Sequence, residues 1–288
     1  MERVRDVWKE LVKTLRERGV SSPAQEARFI LSRVVDTSPS RLYLFWDLSL
    51  SLQQREKLSQ MLEKRLSGFP LQYVLGEWEF MSLPFQIEPG VFIPRLDTEA
   101  WIEKAILFLK ERAKGEPLLI CDLGCGSGMI GIACAFWVPS LQLQGVDISW
   151  KAVELSRKNA RSLAVENRTT FLISDLFSAF EGKKVQFDTI LSNPPYIPKD
   201  QWEQLSPEVK LYEPQLALLG GEDGLNIIRR IIQESPPFLK RGGRLYLEHD
   251  PDQLEALKTM VRNSPQLDYL ESITDFTGKI RTSVVVKV

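Results

Sequence analysis

Histidine is almost missing from this 288-residue chain, occurring once, and cysteine occurs only three times. Cys121, Cys125 and Cys134 crowd one segment, are odd in number and have no histidine beside them. That pattern excludes a zinc-ligand set and a disulfide framework, and points to reduced thiols in a cytoplasmic protein. No stretch approaches the roughly 18 apolar residues that span a bilayer, which excludes a helical membrane anchor. The opening Met1-Glu-Arg-Val-Arg-Asp is mixed in charge and leads into a periodic segment, so it does not read as a signal peptide. Positive charge is not in surplus either. The chain has 37 Lys+Arg against 38 Asp+Glu, a net charge of −1, and advertises no general affinity for nucleic acid. The balance is uneven, because residues 1–75 hold 13 Lys+Arg against 9 Asp+Glu. An excess of that kind fits an acidic or ribonucleoprotein partner. Internal repeats and low-complexity tracts are absent.

What is present is ordinary globular composition, 43% hydrophobic and 26% charged, at a length that suits one large domain with a small one. Val4, Val7, Trp8, Leu11, Val12 and Leu15 recur at helical spacing before Gly19. Ser22-Pro23 starts a second helix with a buried stripe of Ala27, Ile30, Leu31 and Val34. A third short helix begins near Pro39, and a fourth runs from about Ser51 to Leu66. Residues 1–75 therefore predict a small helical bundle. From Trp78 to Phe92 the period becomes two, which predicts a β-hairpin linker over residues 76–92. Asp97 or Thr98 is placed to cap the helix that comes next.

Residues 93–288 read as a second domain in which apolar strands alternate with helices. Strands are expected at Leu118–Asp122, Leu141–Asp147, Thr170–Ser174, Phe187–Ser192 and Arg244–Glu248, with a C-terminal pair near Tyr269–Ile273 and Thr282–Val288. Helices are expected over Lys151–Leu163 and Leu225–Lys240. This alternation predicts an α/β fold with a mostly parallel, doubly wound sheet and an antiparallel strand at its C-terminal end.

Asp122-Leu-Gly124-Cys125-Gly126-Ser127-Gly128 lies between a strand and a helix. Alternate glycines allow a sharp turn and close approach of a ligand, and the helix N-terminus behind them suits a carboxylate or phosphate. Gly126-x-Gly128-x-x-Gly131 also satisfies the dinucleotide fingerprint, so the loop by itself leaves a nicotinamide enzyme and a methyltransferase both open. An acid on the strand, Asp122, before three alternate glycines resembles motif I of Rossmann-like methyltransferases. Asp147 ends the second strand, where a carboxylate can accept from a ribose diol. Asp175 ends the third, where it can accept from an adenine amino group between Ile148 and Leu176.

Asn193-Pro194-Pro195-Tyr196 comes after the fourth strand. An amide nitrogen is a poor nucleophile because its lone pair is delocalised into the carbonyl. A site can help by accepting hydrogen bonds from both N–H groups and so aiming the nitrogen. The Asn193 side-chain oxygen and the Pro194 carbonyl are suited to that task, two prolines hold them still, and Tyr196 offers an aromatic wall. His249 ends the fifth strand beside Glu248, but the chemistry needs no imidazole base and neither residue receives a role. No serine or cysteine stands in a nucleophile-elbow context.

With these residues in hand, the chain resembles the release-factor glutamine N5-methyltransferases, the PrmC/HemK family, over nearly its whole length. Besides the motifs above it carries Phe69-Pro-Leu-Gln-Tyr-Val-Leu-Gly76, Gly90-Val-Phe-Ile-Pro-Arg-Leu-Asp-Thr-Glu99, Tyr212-Glu-Pro, Gly220-Gly-Glu-Asp-Gly224-Leu and Asp275-x-x-Gly278-x-x-Arg281. The resemblance implies S-adenosylmethionine as cofactor, S-adenosylhomocysteine as product and no metal. It implies that the acceptor is the glutamine of the Gly-Gly-Gln motif in peptide-chain release factors, gripped in part by the N-terminal helices. Carried over by position, Gly124, Cys125, Gly126, Ser127, Gly128, Asp147, Asp175, Leu176 and Asn193 meet the cofactor. Asn193 to Tyr196 hold the glutamine, with Phe92 and Arg95 at the entrance. Two positions depart from the family pattern. Asp250 stands where a glycine is common, and the hairpin turn reads Met81-Ser82. The main rival, a nucleic-acid amino methyltransferase acting on adenine N6 or guanine N2, would flip a base and usually carry a basic surface. A pI near 6.1 and the lack of a Lys/Arg cluster count against it. A nicotinamide oxidoreductase leaves Asn193–Tyr196 without a purpose, and a non-catalytic binding module would need a disabled cofactor loop.

Overall fold

The computed structural model describes residues 3–114 and 116–288, and it divides into two compact units. Met1 and Glu2, on which the reading of the N-terminus partly rests, lie outside the described residues. The first unit comprises the described residues up to Trp78 together with Pro207–Tyr212. Its helices are α1 (Val4–Glu17), α2 (Pro23–Val34), α3 (Leu52–Leu66) and α4 (Leu71–Leu75), with a 3-10 segment at Pro39–Phe45. The apolar stripe of α1, Val4, Val7, Leu11, Val12 and Leu15, is buried against that of α2. Ser51 begins α3 with a capping box, its hydroxyl accepting from Gln54 N while the Gln54 side chain accepts from Ser51 N.

Pro207–Tyr212 forms a further short helix that the sequence pattern does not signal, and it is tied into this unit by side chains. Arg65 makes a paired bond to Glu26, at 2.6 and 3.0 Å, and reaches Glu208 at 3.3 Å. The Glu26 bond, acting against burial, raises the Arg65 guanidinium further above its ordinary value. Phe69 meets Tyr212 edge-on at 4.9 Å.

The second unit holds the remainder, Glu79–Ser206 and Glu213–Val288. Strands β1 (Glu77–Phe80) and β2 (Leu83–Gln86) form a two-stranded sheet, joined by Met81 and Ser82 at φ 51° and 62°. Both turn residues thus adopt the left-handed conformation that glycine supplies at less cost. Next along the chain is helix α5 (Leu96–Ala113), with Arg95 at its N-cap and no side-chain cap there. Neither Asp97 nor Thr98 caps it, because both lie inside its first turn.

The main sheet contains β3 (Leu118–Leu123), β4 (Leu141–Asp147), β5 (Thr169–Ile173), β6 (Phe187–Ser192), β7 (Leu239–Glu248), β8 (Leu267–Thr274) and β9 (Ile280–Lys287). Their order is β5-β4-β3-β6-β7-β9-β8, with parallel pairing as far as β7 and β9 antiparallel to both of its neighbours. This is a Rossmann-like sheet, and the order reverses at β3. A crevice opens at the carboxyl ends of the strands at such a switch point. Every residue of β6 is buried, as expected for a strand covered on both faces. The intervening helices are α6 (Met129–Trp137), α7 (Trp150–Ser162), α8 (the Pro207–Tyr212 helix of the first unit), α9 (Asn226–Glu234) and α10 (Leu254–Arg262). Helix α9 stops at Glu234 instead of running to Lys240, because Pro236 and Pro237 lack the N–H groups that would continue it, and β7 begins at Leu239.

Candidate active site at the carboxyl ends of the strands

A cavity of about 240 Å³ lies within the second unit where β3, β4, β5 and β6 end. The loop after β3 contributes Gly124 to Ser127, and the loops after β4 and β5 contribute Asp147, Ile148, Asp175 and Leu176. Asn193, Pro194 and Pro195 come from the loop after β6. Gly90, Val91, Phe92 and Pro94 close another side. Among the described residues no group of His, Cys, Asp and Glu side chains could hold a metal ion.

The glycine loop is shaped by its backbone. Gly124 N and Cys125 N both donate to Val146 O, at 2.8 and 2.9 Å. Gly126 N donates to Asp147 Oδ2 at 2.9 Å. Gly126 has φ +56°, and a Cβ added there meets nothing within 4 Å, so the glycine serves both the left-handed turn and an open face. Gly131, in the first turn of α6, has a different purpose. A Cβ there would fall 2.6 Å from Leu143 Cδ1 and 2.9 Å from Asp122 Oδ2. Its N–H donates to that same Asp122 oxygen at 2.9 Å, so helix and strand meet without a side chain between them. Asp122 is fully buried, its other oxygen has no partner, and burial raises its carboxyl to about 7.

Asp147 accepts from Gly126 N and Ser149 N, and burial pushes it above the ordinary Asp value. Asp147 lines the cavity, and each of its oxygens has acceptor capacity beyond these bonds. Asp175 lines the cavity while pairing with Arg230 at 2.9 Å, a partner 55 residues away that the sequence did not disclose. Leu176 sits beside it at φ +46°, and Ile148 is exposed along the cavity wall.

The Asn193–Tyr196 loop is clamped on its far side. Ile197 N donates to Leu218 O, Gly220 N donates back to Ile197 O, and Gln253 Nε2 donates to Tyr196 O at 2.9 Å. A Cβ on Gly224 would collide with Tyr196 O, and one on Gly220 with Pro195 O at 2.7 Å. The Gly220-Gly-Glu-Asp-Gly224 motif is therefore a backbone cradle for this loop. Tyr196 does not line the cavity. It packs on the core, its hydroxyl lies 3.4 Å from Glu248 Oε1, and burial, with the Glu248 charge adding to it, raises its phenol well above the ordinary value.

Arg95 also stands off the lining. It donates to Glu213 Oε1 at 2.6 Å and lies 5.2 Å from the centre of the Phe92 ring, while Glu213 Oε2 accepts from Ile93 N at 3.3 Å. Glu213, of the Tyr212-Glu-Pro motif, thus anchors the wall that carries Phe92. His249 is wholly buried between Asp250 O, at 2.7 Å from Nδ1, and Ser283 Oγ, at 2.8 Å from Nε2. The carbonyl can only accept, so Nδ1 carries a proton, and burial lowers the ring below its ordinary value, which favours the neutral form. Arg281 pairs with Asp250 and Asp275, both at 3.4 Å, which gives the Asp275-x-x-Gly-x-x-Arg281 motif and the departure at Asp250 a shared structural purpose. Thr98, Trp101 and Glu248 were missed as a group. Their signal was an acid at the end of a buried apolar strand, which must find donors somewhere.

Two family models match the chain, the PrmC N-terminal domain over residues 6–76 and the methyltransferase small domain over residues 85–206. A release factor glutamine methyltransferase of Fusobacterium nucleatum is 36% identical across 98% of this chain and 78% of its own length. One from Vibrio cholerae is 37% identical across 94% and 92%. The human MTRF1L release factor glutamine methyltransferase is 33% identical across 92% and 82%. Among solved structures, the Thermus thermophilus 16S rRNA N2 G1207 methyltransferase matches with a TM-score of 0.51 at 18% identity, covering 74% of this chain and 50% of that one, a likeness of fold.

Proposed function

Since the chain belongs to the release factor glutamine methyltransferase family, we infer that it is an S-adenosylmethionine-dependent enzyme that methylates the side-chain amide nitrogen, N5, of the glutamine in the Gly-Gly-Gln motif of peptide-chain release factors. The observation that carries this reading is one cavity lined by Gly124–Ser127, Asp147 and Asp175 on one side and by Asn193–Pro195 on the other. The residues present fit the cofactor. The open face at Gly126 admits close approach to the main chain, Asp147 can accept from ribose hydroxyls, and Asp175 from an adenine amino group between Ile148 and Leu176.

Held by the glycine loop, Asp147 and Asp175, S-adenosylmethionine would supply a sulfonium methyl group; its transfer would break the sulfur–methyl bond, form the nitrogen–methyl bond, leave S-adenosylhomocysteine and release one amide proton to solvent. The chain supplies position. Asn193 Oδ1 and the Pro194 carbonyl accept from the two N–H groups of the glutamine amide and so turn its nitrogen lone pair toward the methyl donor. Pro194 and Pro195 fix the backbone that carries these acceptors, and the cradle at Gly220–Gly224 prevents retreat. Phe92, held by Arg95 and Glu213, borders the entrance. No metal is called for, and the partner is a protein in the cytoplasm, not a nucleic acid or a membrane. Among the described residues no helix is long and apolar enough to cross a bilayer.

The test is a methyl-transfer assay with radiolabelled cofactor, offering a release factor, its Gln→Ala motif variant, tRNA and duplex DNA side by side. Label is expected in the intact release factor alone. Label in nucleic acid and none in the release factor would overturn the reading.

A further inference from the structure

An asparagine amide has an oxygen that accepts and a nitrogen that donates, and only one of them serves an incoming NH2 group. The proposed function needs the Asn193 oxygen to face the cavity. Asn193 Nδ2 lies 3.4 Å from Thr98 Oγ1, the Thr98 hydroxyl is 2.9 Å from Glu248 Oε2, and Trp101 Nε1 is 2.8 Å from that same oxygen. Thr98, Trp101 and Glu248 are all buried at 2% exposure or less, so none can exchange these partners for water. Thr98 and Trp101 are three residues apart on α5, which puts both on one face of the helix opposite the end of β7.

The direction of this chain of bonds is dictated by its far end. An indole N–H can only donate, so Glu248 Oε2 is an acceptor. With the Glu248 carboxylate ionised, Thr98 gives its single proton to Oε2, and its oxygen is left to accept. Only the nitrogen end of the Asn193 amide can satisfy it. Given the acceptor role that the proposed function assigns to Asn193, we propose that Trp101, Glu248 and Thr98 are positioning residues that set the flip of its amide, so that Oδ1 is presented to the substrate nitrogen. None of the three touches a reacting atom, and none lines the cavity. The Tyr196 hydroxyl, 3.4 Å from Glu248 Oε1, ties the other end of the same loop to the same carboxylate. The motif that includes Thr98 and the acid that ends β7 thereby acquire one shared task.

The experiment compares Thr98→Val, which keeps the shape and removes the hydroxyl, with Thr98→Ser, which restores the hydroxyl, and runs Asn193→Ala beside them. Each is assayed for kcat and for KM toward the release factor, for cofactor affinity by calorimetry, and for thermal unfolding. Thr98→Val is expected to lower kcat about tenfold or more, as for loss of one preorganised contact, with KM and cofactor affinity within about twofold. Thr98→Ser is expected to recover most of the rate. Glu248→Gln retains an acceptor oxygen for Trp101 and Thr98 and is expected to stay within about threefold of the parent kcat. A Thr98→Val enzyme at full kcat beside an inactive Asn193→Ala enzyme would overturn the relay and leave the proposed function standing. Equal losses in kcat, cofactor affinity and unfolding temperature that serine fails to restore would assign Thr98 to packing and also overturn it. So would a Glu248→Gln enzyme as slow as Thr98→Val, because charge rather than bond direction would then be at work. Full activity of Asn193→Ala would instead remove the proposed acceptor role itself.

Discussion

Gly124–Ser127 and Asn193–Pro195 face one cavity, yet different kinds of bond hold their loops. The glycine loop is fixed mostly by main-chain donors to the adjacent strand end, Gly124 and Cys125 to Val146 and Gly126 to Asp147, with Ser156 Oγ and Asn159 Nδ2 of α7 donating to the Gly126 and Ser127 carbonyls. The loop after β6 is fixed by side chains and glycines from distant parts of the chain. Thr98 is 95 residues away, Gln253 is 57 away, and the Gly220–Gly224 cradle adds backbone contacts. The first arrangement depends on φ angles and close packing, which any rigid cofactor loop requires. The second depends on polar groups whose orientation can be set, which suits a site that must present an acceptor and not merely a surface. A cofactor pocket built by backbone tolerates few substitutions in the loop. An acceptor built by a buried polar network is sensitive to residues that never meet the substrate.

Three substitutions separate the two halves, and the largest effect belongs to the acceptor itself. Asn193→Ala is expected to lower kcat by about 10³-fold, the usual size for loss of a preorganised polar group at the reacting centre, with cofactor affinity only partly weakened. Single-turnover transfer beside calorimetric cofactor titration measures both quantities, and normal turnover would sink the acceptor mechanism. Next come two glycine probes, one in each half. Gly224→Ala, at φ +74° and against Tyr196 O, is expected to lower kcat by roughly 10–100-fold with unchanged cofactor affinity, since it displaces the acceptor loop. Gly131→Ala should do the converse. It is expected to cost about 1–3 kcal/mol of stability in urea unfolding through overpacking against Leu143, and to weaken cofactor binding. If the two glycine variants gave the same pattern, the halves would not be independently built.

Legibility in the sequence divides along the same line. The strands were readable because buried parallel strands are short apolar runs, and β3, β4 and β6 fall within a residue of their expected bounds. The glycine loop and Asp147 were readable because alternate glycines after one strand and an acid at the end of the next form a pattern in the sequence itself, although Ser156 and Asn159, which also hold the loop, did not show in it. Asn193–Tyr196 could be recognised as a tetrapeptide, but its supports could not. Thr98 read as a helix cap because threonine usually caps, and the tertiary demand of Glu248 for a proton donor outweighed that local preference. Tyr196 read as a cavity wall, whereas its hydroxyl turns to Glu248 and its ring to the core. The Arg230 partner of Asp175 and the placement of α8 in the first unit depend on long-range packing, and no spacing rule encodes either.

The smallest expected effect is one of pH, and it asks which half carries a buried acid that matters for folding. Burial raises Asp122 from 3.8 to about 7, so between those values the folded chain holds a proton that the unfolded chain has released. Stability from this group is therefore complete at the acid end of the window and falls as pH rises toward 7. The fall is expected to be about 2 kcal/mol between roughly pH 5.5 and 7.5, read from urea unfolding at each pH. Asp122→Asn removes this titration and should reduce the slope over that range. Glu248, in the other half, is also raised by burial and contributes a slope of the same sign. A slope that survives Asp122→Asn and disappears in Glu248→Gln would move the titrating acid from beneath the glycine loop to the network behind Asn193. The acceptor half would then be held by a group whose protonation changes over that range, and its ionisation as pH rises would keep Oε2 the acceptor that Thr98 and Trp101 require.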